Sequence, residues 1–151
     1  MIGTGYVGLV SGTCFADIGH TVHCVDNNKF KIEKLISGES PIYEPGLDEL
    51  IKENSRARRL FFTSSLSEGV NKSDIIFICV GTPRKSNSSS VDLTFVLKAA
   101  KQIAKTAKSK NNKKLPGRPF FVGSKLELFS SLICHAFSLD QVCGSNTVKR
   151  G

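Results

Sequence analysis

Residues 3 to 8, Gly-Thr-Gly-Tyr-Val-Gly, spell G-x-G-x-x-G. Such a loop joins the carboxyl end of a parallel β-strand to a helix in sheets that bind dinucleotides. Each glycine has a separate task there: Gly3 permits the tight turn, Gly5 lets backbone approach a pyrophosphate, and Gly8 lets the helix lie close against the sheet. The helix that follows, residues 6 to 18, is apolar and built of small residues, and Gly19 closes it. Only Met1 and Ile2 stand ahead of the loop, so the first strand is nearly missing. That strand would be the central one. Either upstream residues complete it or the chain is expected to be marginally folded.

The remainder of the chain alternates strand and helix. Residues 21 to 25 are β-branched and end in Asp26, with Asn27 and Asn28 as turn and N-cap residues. Phe30, Ile32, Leu35 and Ile36 give a helix closed by Gly38. Pro45 is expected in the first turn of a helix reaching Asn54. Residues 60 to 63 read as a strand, and Ser65-Leu66-Ser67-Glu68 has capping-box spacing for a short helix. Residues 75 to 80 are continuously apolar, as in a strand covered on both faces. Asp92 caps a helix whose expected apolar face is Leu93, Val96, Leu97, Ala100, Ile103 and Ala104. Residues 120 to 122 suit another strand, and residues 126 to 137 have helical spacing. This order predicts an α/β fold, a Rossmann-like doubly wound parallel sheet.

Charge narrows the function classes. The net charge of +8 resides in one segment, since residues 98 to 118 carry eight Lys or Arg and no acid. Lys98, Lys101, Lys105 and Lys108 recur as the wet face of a helix, without interleaved aromatics for base stacking. A solvated face is therefore favoured over nucleic-acid binding. Five cysteines without C-x-x-C spacing read as reduced thiols in a cytoplasmic protein. No run is long enough to span a membrane.

Asp26 sharpens the cofactor reading. It ends the second strand 18 residues after Gly8, where a carboxylate accepts both ribose hydroxyls of an adenosine and repels a 2′-phosphate. This points to NAD rather than NADP. The plainer alternative is a turn residue ahead of Asn27.

With these residues in place, the chain resembles the nucleotide-sugar dehydrogenases, in particular the amino-terminal domain of UDP-glucose 6-dehydrogenases. The resemblance rests on G-T-G-Y-V-G-L at 3 to 9, G-H at 19 to 20, C-V-D at 24 to 26, P-I-Y-E-P-G-L at 41 to 47, S-D-I-I-F-I-C-V-G-T-P at 73 to 83 and D-L at 92 to 93. It runs unbroken to about residue 108, and Tyr43 favours the UDP-glucose branch over GDP-mannose. It implies an NAD-binding domain over residues 1 to 118, with residues 119 to 151 a non-matching tail. The implied reaction is a two-step, NAD-dependent oxidation of a sugar C6 alcohol to a carboxylate. Cofactor contacts are implied for Gly3, Gly5, Tyr6, Val7, Gly8, Asp26, Lys31, Gly81, Thr82 and Pro83. Lys31 reads equally as an exposed helix lysine, and Tyr43 with Glu44 as local packing that orients the next helix.

The family's S-T-V-P motif, sugar-binding domain and nucleophilic cysteine have no counterpart in this sequence. The second oxidation step proceeds through a thiohemiacetal and a thioester, which needs an activated thiolate. No catalytic residue is therefore assigned. His20 and His23 read as structural, and Cys134-His135 as helix neighbours that point apart. The expectation is a truncated or frame-disrupted dehydrogenase that retains the cofactor-binding half. The alternative is a stand-alone NAD-binding or interaction module. A homo-oligomer is expected only with the missing domains.

Overall fold

The structure, a computed structural model, describes residues 1–84, 90–108 and 120–122. In chain order the elements are α1 (Tyr6–Asp17), β1 (Val22–Val25), α2 (Lys29–Ile36), α3 (Leu47–Arg56), β2 (Leu60–Thr63), α4 (Leu66–Asn71), β3 (Ile76–Ile78), α5 (Thr94–Lys108) and β4 (Phe120–Val122). β1 pairs in parallel with β2, and β3 with β4. Ile2 joins the two pairs, bridging Val25 on one side and Ile78 on the other. The sheet therefore runs β2, β1, Ile2, β3, β4, all parallel, and the fold is the expected Rossmann-like α/β one.

The central position is held by very little chain. Ile2 donates its N–H to the Phe77 carbonyl at 2.8 Å and accepts from the Cys79 N–H at 2.8 Å. On the other side, the Val25 N–H donates to the Met1 carbonyl at 2.9 Å, and the Gly3 N–H donates to the Val25 carbonyl at 2.7 Å. The Met1 ammonium adds a bond to the His23 carbonyl at 2.8 Å. Both side chains are buried.

Alternate residues along the central strands face opposite layers, which explains why residues 75 to 80, around β3, are apolar without interruption. Met1, Cys24 and Cys79 pack under α1 and α3 with Leu9, Ala16, Leu47, Ile51 and Leu60. Ile2, Val25, Ile76 and Ile78 pack on the other face with Val70 of α4 and with Ala99 and Ile103 of α5. The helices on both sides place the carboxyl ends of the strands along one open edge.

Several local expectations shift by a residue or a partner. Pro45 does not enter α3. The Leu47 N–H bonds the Glu44 carbonyl at 3.1 Å, which makes residues 44 to 47 a turn, and Gly46 is the N-cap. Tyr43 does not pack against the helix that follows; it is 89% exposed, while Ile42 and Leu47 make the inward contacts. The capping box at Ser65 is half made: Ser65 Oγ accepts the Glu68 N–H, but Glu68 itself turns to the Thr63 hydroxyl and to Lys72. In α2 only Ile32 and Leu35 are buried, leaving Phe30 and Ile36 exposed. The buried face of α5 is Val96, Ala99, Ala100 and Ile103, while Leu93, Leu97 and Ala104 face out. Ala99 gains its place because a small residue lets α5 lie close to β3 and α4. The helical spacing expected at 126 to 137 lies outside the described residues.

Candidate functional site

The site begins where the chain leaves Ile2. Gly3 has φ +102°, and a Cβ there would lie 2.7 Å from the Cys79 carbonyl oxygen. A Cβ on Gly8 would overlap the Gly3 carbonyl, so α1 starts in direct contact with the loop that precedes it. Gly5 differs from both. Nothing lies within 4 Å of its missing Cβ, and it caps α1 without any side-chain hydrogen bond. The first intrahelical bond comes from the Leu9 N–H, to the Gly5 carbonyl at 2.9 Å. The N–H groups of the first turn, Tyr6 to Gly8, therefore have no intrahelical acceptor, and their dipoles favour an anion at that end.

Asp26 stands beside this turn, at the carboxyl end of β1. Its Oδ2 accepts from both the N–H and the hydroxyl of Thr4, at 2.9 and 2.7 Å. Its Oδ1 accepts the Asn28 N–H at 2.9 Å. Partial burial pushes the Asp26 carboxyl upward, but the bonds from Asn28 and Thr4 and the charge of Lys31 outweigh it and hold the carboxyl below its ordinary range. The group is an anion at neutral pH.

A cleft of about 580 Å³ opens over these groups and is lined by Gly3, Gly5, Asp26, Lys31 and Gly81, among others. Its volume falls in the range of small-molecule sites. The other residues singled out from the sequence sit around it without lining it. Tyr6 is exposed, Val7 packs against the core, Gly8 is buried beneath the loop, and Thr82 and Pro83 continue beyond Gly81. A separate hollow of about 450 Å³ lies at the amino ends of β1 and β3, near Met1, His23 and Ile75. It is at the wrong edge of the sheet for the glycine loop.

Sequence reasoning missed part of the lining. Ser64, just past the end of β2, belongs to it. The rule that ligands bind at strand carboxyl ends could have found it. Phe95, Lys98 and Gln102 of α5 form another wall. Lys98 is exposed, as a solvated face requires, but it also faces the cleft. Thr4 had no sequence signal, because its partner is 22 positions away.

The thiols among the described residues offer no thiolate nucleophile at neutral pH. Burial pushes Cys14, Cys24 and Cys79 each to about 11, with the Asp17 charge adding to the effect at Cys14. All three are protonated at neutral pH, and the cysteines at 134 and 143 lie outside the described residues. No helix among the described residues is long and apolar enough to cross a membrane.

A family model, the NAD binding domain of the UDP-glucose/GDP-mannose dehydrogenase family, matches residues 1–113. The chain belongs to this family. It is 53% identical over 104 residues to a UDP-glucose 6-dehydrogenase of Rhizobium meliloti, a match that covers 69% of this chain and 24% of that protein. It is also 53% identical over 103 residues to the UDP-glucose 6-dehydrogenase TuaD of Bacillus subtilis, covering 68% and 22%. Among solved structures, a GDP-mannose dehydrogenase ternary complex from Pseudomonas aeruginosa superposes with a TM-score of 0.74 at 33% identity, over 89% of this chain and 31% of that one. A UDP-glucose dehydrogenase from Pyrobaculum islandicum gives 0.68 at 39% identity, over 72% and 25%. This family member thus spans about a quarter of the length of the curated relatives it matches, and its cofactor class is NAD.

Proposed function

We propose that residues 1 to about 118 are the NAD-binding half of a UDP-glucose 6-dehydrogenase, which oxidises UDP-glucose to UDP-glucuronate in the cytoplasm. The observation that carries this reading is the meeting, in one cleft, of an uncapped α1, a glycine with open space at its Cβ and an anionic Asp26. The residues fit the cofactor: Gly3, Gly5 and the N–H groups of Tyr6, Val7 and Gly8 would hold the pyrophosphate, and Asp26 with Lys31 beside it the adenosine ribose. Gly81, Thr82 and Pro83 would lie toward the nicotinamide. When bound, the nicotinamide accepts hydride from the sugar C6 carbon.

In this reaction the chain's own residues bind and orient. The α1 amino end offsets phosphate charge, and the Asp26 carboxylate selects an unphosphorylated ribose. The two relatives at 53% identity favour UDP-glucose as substrate; a GDP-mannose or other nucleotide-sugar 6-dehydrogenase is the alternative. The three protonated thiols favour a division of labour in which the thiol chemistry belongs to residues other than these. The same observation favours a second reading, a stand-alone NAD-binding module.

A chimera tests the proposal. Residues 1–113 would replace the matching segment of the Bacillus subtilis enzyme TuaD, and NADH formation from UDP-glucose would be followed by the absorbance of the reduced nicotinamide. Turnover that Asp26→Ala weakens through the KM for NAD is expected. A folded chimera without turnover would count against it.

A further inference from the structure

We propose that Thr4, the first variable residue of the glycine loop, is a positioning residue that sets cofactor choice through Asp26. The proposal rests on the NAD reading above and adds to it the residue that holds the selecting carboxylate in place.

Thr4 is fully buried and does not line the cleft, so its side chain is not a direct contact for a cofactor. Both of its donors go to one atom, Asp26 Oδ2, at 2.9 Å from the N–H and 2.7 Å from the hydroxyl. A carboxylate has about four acceptor positions, two on each oxygen. Thr4 fills both positions on Oδ2, and the Asn28 N–H at 2.9 Å fills one on Oδ1. Among the described residues a single acceptor position remains, on Oδ1. Asp26 therefore meets an incoming ribose with one acceptor, not with one for each hydroxyl as the sequence suggests.

The clamp also fixes where the negative charge stands. Asp26 is tied to the glycine loop through Oδ2 and to the turn ahead of α2 through Oδ1, so the carboxylate cannot rotate away without breaking bonds on both sides. A 2′-phosphate placed at this ribose meets an immobile anion. Lys31, which lines the same cleft, attracts Asp26 by charge and would attract a 2′-phosphate as well. Discrimination thus depends on holding the carboxylate still, and that is what preorganisation by the Thr4 hydroxyl supplies.

The test compares the Kd of NAD with that of NADP for the full chain and three variants. Thr4→Val keeps the shape and the N–H bond and removes only the hydroxyl. It is expected to cut the preference for NAD over NADP about tenfold, the weight of one hydrogen bond to a charged group. Thr4→Ser retains the hydroxyl and should restore the wild-type preference. Thr4→Ala also lacks the hydroxyl, adds no atoms and must agree with Thr4→Val, so one poorly folding variant does not decide the matter. A merely structural role would lower the melting temperature and leave the ratio of the two Kd values unchanged. A cooperatively melting Thr4→Val or Thr4→Ala protein with the wild-type ratio would overturn the proposal while leaving NAD binding intact. A wild-type chain that binds neither cofactor would overturn the cofactor reading, and this proposal with it.

Discussion

Replacing Gly8 with alanine would put a carbon inside the Gly3 carbonyl and 3.1 Å from Cys79 Cβ, both of them fixed by the central ladder. The overpacking should lower the unfolding free energy by about 1–3 kcal/mol, read from urea denaturation. Asp26 allows a pH prediction of definite sign. Its folded pKa is depressed, so its contribution to stability is present above the unfolded value of about 3.9 and is lost as pH falls through the lower folded value. Asp26→Asn should therefore flatten the fall of stability in that acid window, measured by urea melts between about pH 5 and pH 2. An equally steep fall in the variant would contradict the hydrogen-bond assignment. At this scale the place of Asp26, at the end of β1 beside the glycine loop, was legible in the sequence, because the strand and the spacing fix it. Thr4 was not, because its partner is a neighbour across the sheet.

Among the helices, α1 and α3 are joined by a polar network. Asn54 is fully buried; its Nδ2 donates to Asp17 Oδ1 at 3.2 Å and to the Leu50 carbonyl at 2.9 Å. Arg59 Nε is shared between the Asn54 Oδ1 and the Ala16 carbonyl. Asn54→Ala removes the donor to Asp17 and leaves Arg59 Nε with the Ala16 carbonyl alone, and should cost about 1–3 kcal/mol in thermal or urea unfolding. A cost near zero would mean that water replaces the side chain. Element order was readable from hydrophobic period and glycine stops, and the strand at 60 to 63 agrees with β2 to the residue. Details that depend on a neighbour were not. Glu68 leaves the capping box because Thr63 and Lys72 are within reach, and the buried face of α5 turns by one position because α4 and β3 decide which side is covered.

For the molecule as a whole, the buried Met1 and Ile2, with the Gly3 N–H, link two strand pairs that among the described residues are not paired to each other directly. The continuously apolar run at 75 to 80 announced a strand covered on both faces, and the two core clusters on opposite sides agree. Lys98, Lys101 and Lys105 were legible as an exposed helix face, although the participation of Lys98 in the cleft depends on how α5 sits on the sheet. All of these features converge on one open edge, where glycine loop, helix dipole and carboxylate face a common space. On the proposed reading this edge takes a dinucleotide whose adenosine ribose carries no 2′-phosphate. Calorimetric titration of the 151-residue chain with NAD and, separately, with NADP tests it most directly. Saturable one-site binding of NAD is expected, with binding of NADP weaker by about tenfold or more. Equal affinity for the two, or no binding of either, would contradict it.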